Sequence, residues 1–189
     1  MALEKEIEDL YSPVARKAAL ALLYAHWEGH VLFVAETYLR FIAKKKQKFS
    51  QLMPSLQAVK LASFIQGWQT QRDSILLRLK IVDTIRDMEV EQFRTVPPSA
   101  ISTGGNLNSD RFENICQILM LDHDKIVPDR DYLDESIVGA RNRIAHGDYF
   151  TVSDDYLIRA IDYVLEIMRQ FRTEVENSVA TKKYLRGLQ

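Results

Sequence analysis

From Val14 to about Lys45, Leu20, Leu23, Trp27, Val31, Val34 and Tyr38 recur at spacings of three and four. That is the period of one helix face. A stripe sustained this long fits a long helix laid against other elements. The chain has only seven glycines and five prolines in 189 residues, and long stretches hold neither. Helices are therefore favoured over many short strands.

The rest of the chain reads the same way. Residues 3–11 suggest a short helix stopping near Pro13, because proline breaks helix interiors. Pro54 opens a second long pattern with Leu56, Val59, Phe64 and Trp68, to about Gly67. Ile75, Leu79 and Val82 continue it towards Phe93. TVPPSAISTGGNLNS (95–109) is the clearest loop, expected to be flexible, and either a plain connector or a cover over a site. Ser109 or Asp110 can cap a helix through Leu121 with Phe112, Ile115 and Leu119 inward. DHDKIVPDRD follows as a polar loop, and Asp131 can cap a helix from Tyr132 to about His146, with Gly147 just beyond. Ser153 caps a long last helix whose buried face is Leu157, Ile161, Val164, Met168, Phe171 and Val175. The expected fold is an all-α bundle, one domain over residues 1–189.

Charge and composition exclude some functions. Lys and Arg number 25 against 26 Asp and Glu, a net charge of −1, which argues against a broad basic surface for duplex DNA. The run KKKQK (44–48) suits a helix C-terminus. Contact with a nucleic-acid backbone is its sharper alternative. The single cysteine, Cys116, cannot form an internal disulfide, which suits a cytoplasmic compartment. It sits among Phe112, Ile115 and Leu119 and reads as a buried, inert thiol. The most apolar charge-free run, AALALLYAHW (18–27), has ten residues. A membrane helix needs about twenty, so no membrane association is expected.

HWEGH (26–30) puts two histidines on one helix face. In zinc proteases, however, the glutamate directly follows the first histidine. Glu28 instead lies about 200° around the helix from His26. Structural histidines and no metal are the better reading. Gly29 in mid-helix suggests close packing of another backbone. Glu28, on an otherwise apolar helix, suggests a buried partner for a basic group. His123-Asp124 is a lone dipeptide and reads as a solvated loop. No phosphate-binding glycine loop is present, and no cofactor is implied.

Residues 139–150, GARNRIAHGDYF, are the most chemically suggestive stretch. Leu133, Ile137, Ala140 and Ile144 form the buried stripe, and Arg141 lies about 40° from Ile137, at its edge. Asn142 and His146 are i, i+4 neighbours on the more open side. His146 falls at the helix C-terminus, where the helix dipole favours a cation. Two readings stand: a satisfied helix end, with Arg141 ion-paired to Glu28 or an aspartate, or a site that handles phosphate.

Arg141-Asn142-Arg143-Ile144-Ala145-His146 resembles the R-x4-6-H motif, with Asn after the Arg, of the HEPN superfamily. YAHWEGHV (24–31) is similar to the corresponding segment of the MAE-type HEPN families, predicted toxins of defence and toxin–antitoxin systems. The resemblance implies an all-α, HEPN-like bundle with long N- and C-terminal helices. It implies a metal-independent endoribonuclease acting on RNA as a homodimer, and a cognate antitoxin protein. It names Arg141, Asn142 and His146 as catalytic, with Glu28, Arg143 and Tyr149 in support. In HEPN toxins silenced by a partner nucleotidyltransferase, a tyrosine stands two residues after the histidine. Tyr149 stands three after His146, a departure from that pattern. Arg141 and His146 are about 140° apart on an ideal helix, which two motifs facing each other across a dimer would resolve. The competing reading is a non-catalytic HEPN module that binds RNA or protein, or acts like an antitoxin.

Overall fold

Two long helices set the frame of the computed structural model, which describes residues 2–70, 74–98 and 100–187, the side chains of 2–11 and 63–70 excepted. Helix α1 (Ala2–Lys44) is 43 residues long, about 65 Å at 1.5 Å per residue. Helix α7 (Asp154–Ala180) packs along it. Three bonds tie them in order: Arg16 Nε donates to the Val152 carbonyl just before α7, His30 Nε2 meets the Met168 carbonyl, and Tyr38 shares a hydrogen bond with Ser178. The residue numbers rise together along both helices, so α1 and α7 run parallel.

The predicted stripe of α1 is largely the core. Leu20, Trp27, Val31 and Tyr38 are buried, joined by Tyr24, Ala35, Leu39 and Ile42, while Leu23 and Val34 pack at its margin. Within Ser12–Lys44 an 18-residue stretch reaches a mean hydropathy of 1.3, so by length and composition this helix could cross a membrane. Its inner stripe nevertheless faces protein. Pro13 does not end the helix: residues 2–44 are continuous, with Pro13 inside. Proline removes one backbone donor but leaves the neighbouring turns their own bonds.

Helix α2 (Pro54–Thr70) opens at Pro54 as expected and buries Leu56 and Val59; the Phe64 and Trp68 side chains lie outside the described residues. Helix α3 (Ile75–Asp87) corrects the sequence reading. It ends well before Phe93 and buries none of its residues, and Ile75, Leu79 and Val82 face outwards. The half-covered face is instead Ser74, Leu77, Ile81 and Thr84, leading to buried Met88.

The 95–109 segment is fastened down. Ala100, Ile101 and Leu107 are buried, and the Arg111 guanidinium donates to the Thr103 and Asn106 carbonyls. Helix α4 (Ser109–Leu119) is capped by Asn108, whose side chain accepts from the Arg111 amide, and not by Ser109 or Asp110. Phe112, Ile115, Cys116 and Leu119 point inward as expected. Met120, in the left-handed region, closes the helix, and its amide bonds back to the Cys116 carbonyl, so Leu121 lies outside it. Phe112 meets Trp27 edge-on at 4.9 Å and Phe171 at 5.2 Å. The core thus joins α1, α4 and α7.

A short helix α5 (His123–Ile126) replaces the expected polar loop, and His123 is buried rather than solvated. Its ring lies 5.7 Å from that of Phe112, and Nδ1 is 3.1 Å from Asp124 Oδ1. No strand occurs among the described residues. Two isolated bridges, Lys48 with Gln92 and Leu52 with Leu185, tie the linkers together. The fold is all-α, with the long first and last helices expected.

Candidate active site

The motif helix begins with a wide turn. Residues Tyr132–Gly139 form a π-helix, hydrogen-bonded to i+5, which continues as α6 (Ala140–Ala145). Widening puts residues four and five apart on one face, so Leu133, Ile137 and Val138 are all buried. Gly139 suits this geometry: a β-carbon there would lie 3.1 Å from the Asp134 carbonyl oxygen, five residues back. Asp129, not Asp131, serves the start of the segment, its carboxylate accepting from the Tyr132 amide at 2.9 Å.

Neighbouring elements hold the wide turn on two sides. The Asp134 carboxylate accepts from the Ser109 amide at 2.7 Å and from its hydroxyl at 2.5 Å. The Tyr156 hydroxyl donates to the Ser136 carbonyl, and the Tyr163 hydroxyl donates to that of Asp129 at 2.6 Å. Buried in these contacts, both phenols have their pKa raised.

Arg141 is half-buried. Its guanidinium carbon lies 4.8 Å from the centroid of the Tyr24 ring, and Nη1 donates to Asn142 Oδ1 at 3.0 Å. The stacking is a cation–π contact, and the amide fixes the fork in its plane. The expected ion pair with Glu28 is not what holds it. Glu28 Oε1 is buried without a hydrogen-bond partner. Both Glu28 and Arg141 still act electrostatically on the Tyr24 hydroxyl, whose pKa is raised, chiefly by burial.

His146 is the C-cap residue just beyond α6 and is exposed. Gly147 follows with φ of 76°; its amide bonds to the Ile144 carbonyl and that of Asp148 to Arg143. This double closure is the Schellman end expected of a C′ glycine. Arg143 secures the exit, with Nη2 donating to the Tyr149 carbonyl at 3.0 Å and the guanidinium 4.4 Å from the Phe150 centroid. The Tyr149 side chain is 92% exposed. The structure therefore brings Arg141, Asn142 and Tyr24 together, with Glu28 one turn along α1. His146 stands apart, at the outer end of the same helix.

The histidines of HWEGH do not converge. His26 is exposed, whereas His30 reaches the Met168 carbonyl at 3.2 Å, and burial lowers its pKa. Among the described residues no group of three His, Cys, Asp or Glu could hold a metal ion. Gly29 is exposed with nothing near its β-position, so the expected close packing is absent.

Sequence reasoning passed over Tyr24, Asp134 and Tyr156. Tyr24 opens the YAHWEGHV segment and lies three residues before Trp27 on the apolar stripe, but neither signal marks its ring as a partner for Arg141. No signal in the sequence marks Asp134 or Tyr156 as holding a wide turn.

Chemically, the protomer offers a fixed cation and, at the other end of one short helix, a solvent-facing imidazole. A family model described as MAE_28990-like HEPN matches residues 4–184. Searches of curated proteins and of solved structures returned no match. The HEPN superfamily includes ribonucleases and nucleotide-binding modules. A match over nearly the whole chain makes this chain a member of the MAE_28990-like HEPN family.

Proposed function

We propose that the protein is a metal-independent endoribonuclease, the toxin of a toxin–antitoxin or defence pair, acting in the cytoplasm. The observation carrying this reading is that Arg141 is immobilised by Tyr24 and Asn142 on the same six-residue helix that ends at exposed His146. RNA supplies its own nucleophile. The 2′-hydroxyl loses its proton and attacks the adjacent phosphorus, the bond to the 5′-oxygen breaks, and that oxygen takes up a proton. His146 suits the proton transfers because imidazole titrates near neutrality. Arg141 suits the phosphate because its fork donates paired, charge-assisted bonds and stays charged. Asn142 orients the fork. The products are a 2′,3′-cyclic phosphate and a 5′-hydroxyl.

In one protomer the two groups lie at opposite ends of the motif. A homodimer with motifs facing across a two-fold axis joins one protomer's Arg141 to the other's His146. A cognate antitoxin would act by covering this face.

The test is digestion of mixed RNA in EDTA with end-group analysis. His146→Ala should lower turnover by about 10²–10⁴-fold. Arg141→Ala should also cripple it, and Arg141→Lys should restore only part. Mixing Arg141→Ala with His146→Ala protomers in equal amounts should recover about a quarter of parental activity, since half of the dimers then hold one intact composite site. No recovery on mixing would place the site within one protomer. A parent protein that binds RNA or protein without cutting would instead support a non-catalytic HEPN module.

A further inference from the structure

Tyr24 lies between the motif and the 95–109 segment. Its side chain is almost fully buried, at 1% exposure. The ring carries the Arg141 guanidinium at 4.8 Å, and the hydroxyl accepts the Leu107 amide at 2.5 Å. Leu107 is itself fully buried. Two residues on, the Ser109 amide and hydroxyl bind Asp134, in the wide turn leading into the motif helix. The end of the loop therefore grips the motif twice, through Tyr24 at Arg141 and through Asp134 at the base of the helix.

We propose that Tyr24 is a positioning residue for Arg141, its ring fixing the guanidinium plane and its hydroxyl tying that ring to the 95–109 loop. The proposal rests on the ribonuclease reading for its consequence in turnover, but not for its geometry. An arginine free to rotate loses much of its value to a developing phosphate charge, because preorganised charge is what accelerates the step. The effect thus falls on kcat rather than on KM. The hydroxyl sets a second property. Without it the Leu107 amide has no acceptor in a buried site, and the loop loosens beside the arginine.

Three forms separate ring from hydroxyl: the parent, Tyr24→Phe and Tyr24→Leu, with Tyr24→Met in place of the leucine variant should that not fold. NMR of the Arg141 side chain reads the geometry directly, since a proton over an aromatic face is shifted upfield. The parent and Tyr24→Phe should both show that shift, and Tyr24→Leu should lose it. Hydrogen exchange at the Leu107 amide should quicken in Tyr24→Phe. In RNA cleavage, Tyr24→Leu should lower kcat about tenfold with KM within about twofold, and Tyr24→Phe should recover most of it. An unshifted Arg141 in the parent, or a folded Tyr24→Leu with parental kcat in a parent that cleaves, overturns the positioning role. A shift present in the parent and lost in Tyr24→Leu, with no cleavage by any form, upholds the positioning and overturns the ribonuclease reading.

Discussion

Gly29 and Gly147 allow one methyl group to be added in two places with opposite expected signs. At both positions nothing lies within 4 Å of an added β-carbon, so packing contributes nothing and only the backbone decides. Gly29 is in the interior of α1 with ordinary helical geometry. Alanine there removes unfolded-chain entropy and should stabilise by about 0.5–1 kcal/mol. Gly147 holds φ at 76° to close the motif helix. Alanine there meets the left-handed penalty of about 1–2 kcal/mol. For a domain of this size, 1 kcal/mol moves the melting temperature by about 2–4 °C. Gly29→Ala should therefore melt about 2 °C higher and Gly147→Ala about 3–6 °C lower by calorimetry. Gly147→Asn should fall between, since asparagine tolerates this region. A destabilised Gly29→Ala would mean that a partner chain or a second copy packs on that face in solution. A neutral Gly147→Ala would mean that the helix end can close another way, and that the placing of His146 does not depend on the glycine.

Other perturbations test the scaffold under the site. Asp134→Ala strands the Ser109 amide and hydroxyl and should destabilise by about 2–3 kcal/mol in urea unfolding, whereas a neutral result would mean the wide turn stands alone. Burial lowers the His30 pKa below its usual 6.5, with the Met168 carbonyl opposing and Arg172 reinforcing. The unfolded chain therefore binds the proton first, and His30 contributes stability fully above that value and loses it as pH falls through the folded pKa. Melting followed downward in pH should show His30→Gln losing less stability than the parent; equal losses would refute the assignment. Burial also pushes the Cys116 thiol pKa well up, so alkylation should track global unfolding in denaturant, and rapid labelling of the native protein would contradict it.

What was legible in the sequence was whatever a period can carry. The α1 stripe, the Pro54 start, the Ser153 cap and the Gly147 stop are local signals, and the structure shows each of them. Of the α7 stripe Val164, Phe171 and Val175 are buried, while Leu157, Ile161 and Met168 are only half-buried and Ala160, Ile167 and Ser178 take the inner positions. Errors arose where distant contacts decide. Ile75, Leu79 and Val82 have helical spacing, but spacing does not say which face finds a partner, and that face is exposed. Asp131 and Ser109 are good caps by type, yet Asp129 and Asn108 were the ones placed to accept. The π-helix was invisible because Leu133, Ile137 and Ala140 fit an α-helical stripe equally well. The widening lies in the backbone of Tyr132–Gly139, braced by Ser109 at Asp134 and Tyr156 at Ser136, contacts that no local pattern announces. Glu28 was read correctly as an anomaly on an apolar helix, but its partner was not, because the ring of Tyr24 and the amide of Asn142 hold Arg141 first.

The two chemical groups of the motif are held very differently, and the difference fits the role proposed for each. Arg141 is gripped by a ring and an amide on a helix braced through Asp134 and Tyr156. A charge proposed to meet a phosphate gains from that, because preorganised charge is what favours the step. His146 has only its backbone secured, by the Asn142 carbonyl at 2.9 Å and the glycine turn behind it. A proton carrier can use that freedom, since it must meet first one oxygen and then another. Between them lies a single helical turn and an angle of about 140° on an ideal helix, so the gap within one protomer is geometric and not chemical. The wide turn upstream rotates the whole of α6 but leaves Arg141 and His146 in the same relation to each other, because both lie beyond it. Both are side chains at the two ends of one short helix, and the glycine turn behind His146 sets where its ring can reach. Under the proposed ribonuclease reading, a second copy facing the first supplies the missing half of the pair, and the mixing of Arg141→Ala with His146→Ala protomers is the measurement that decides it.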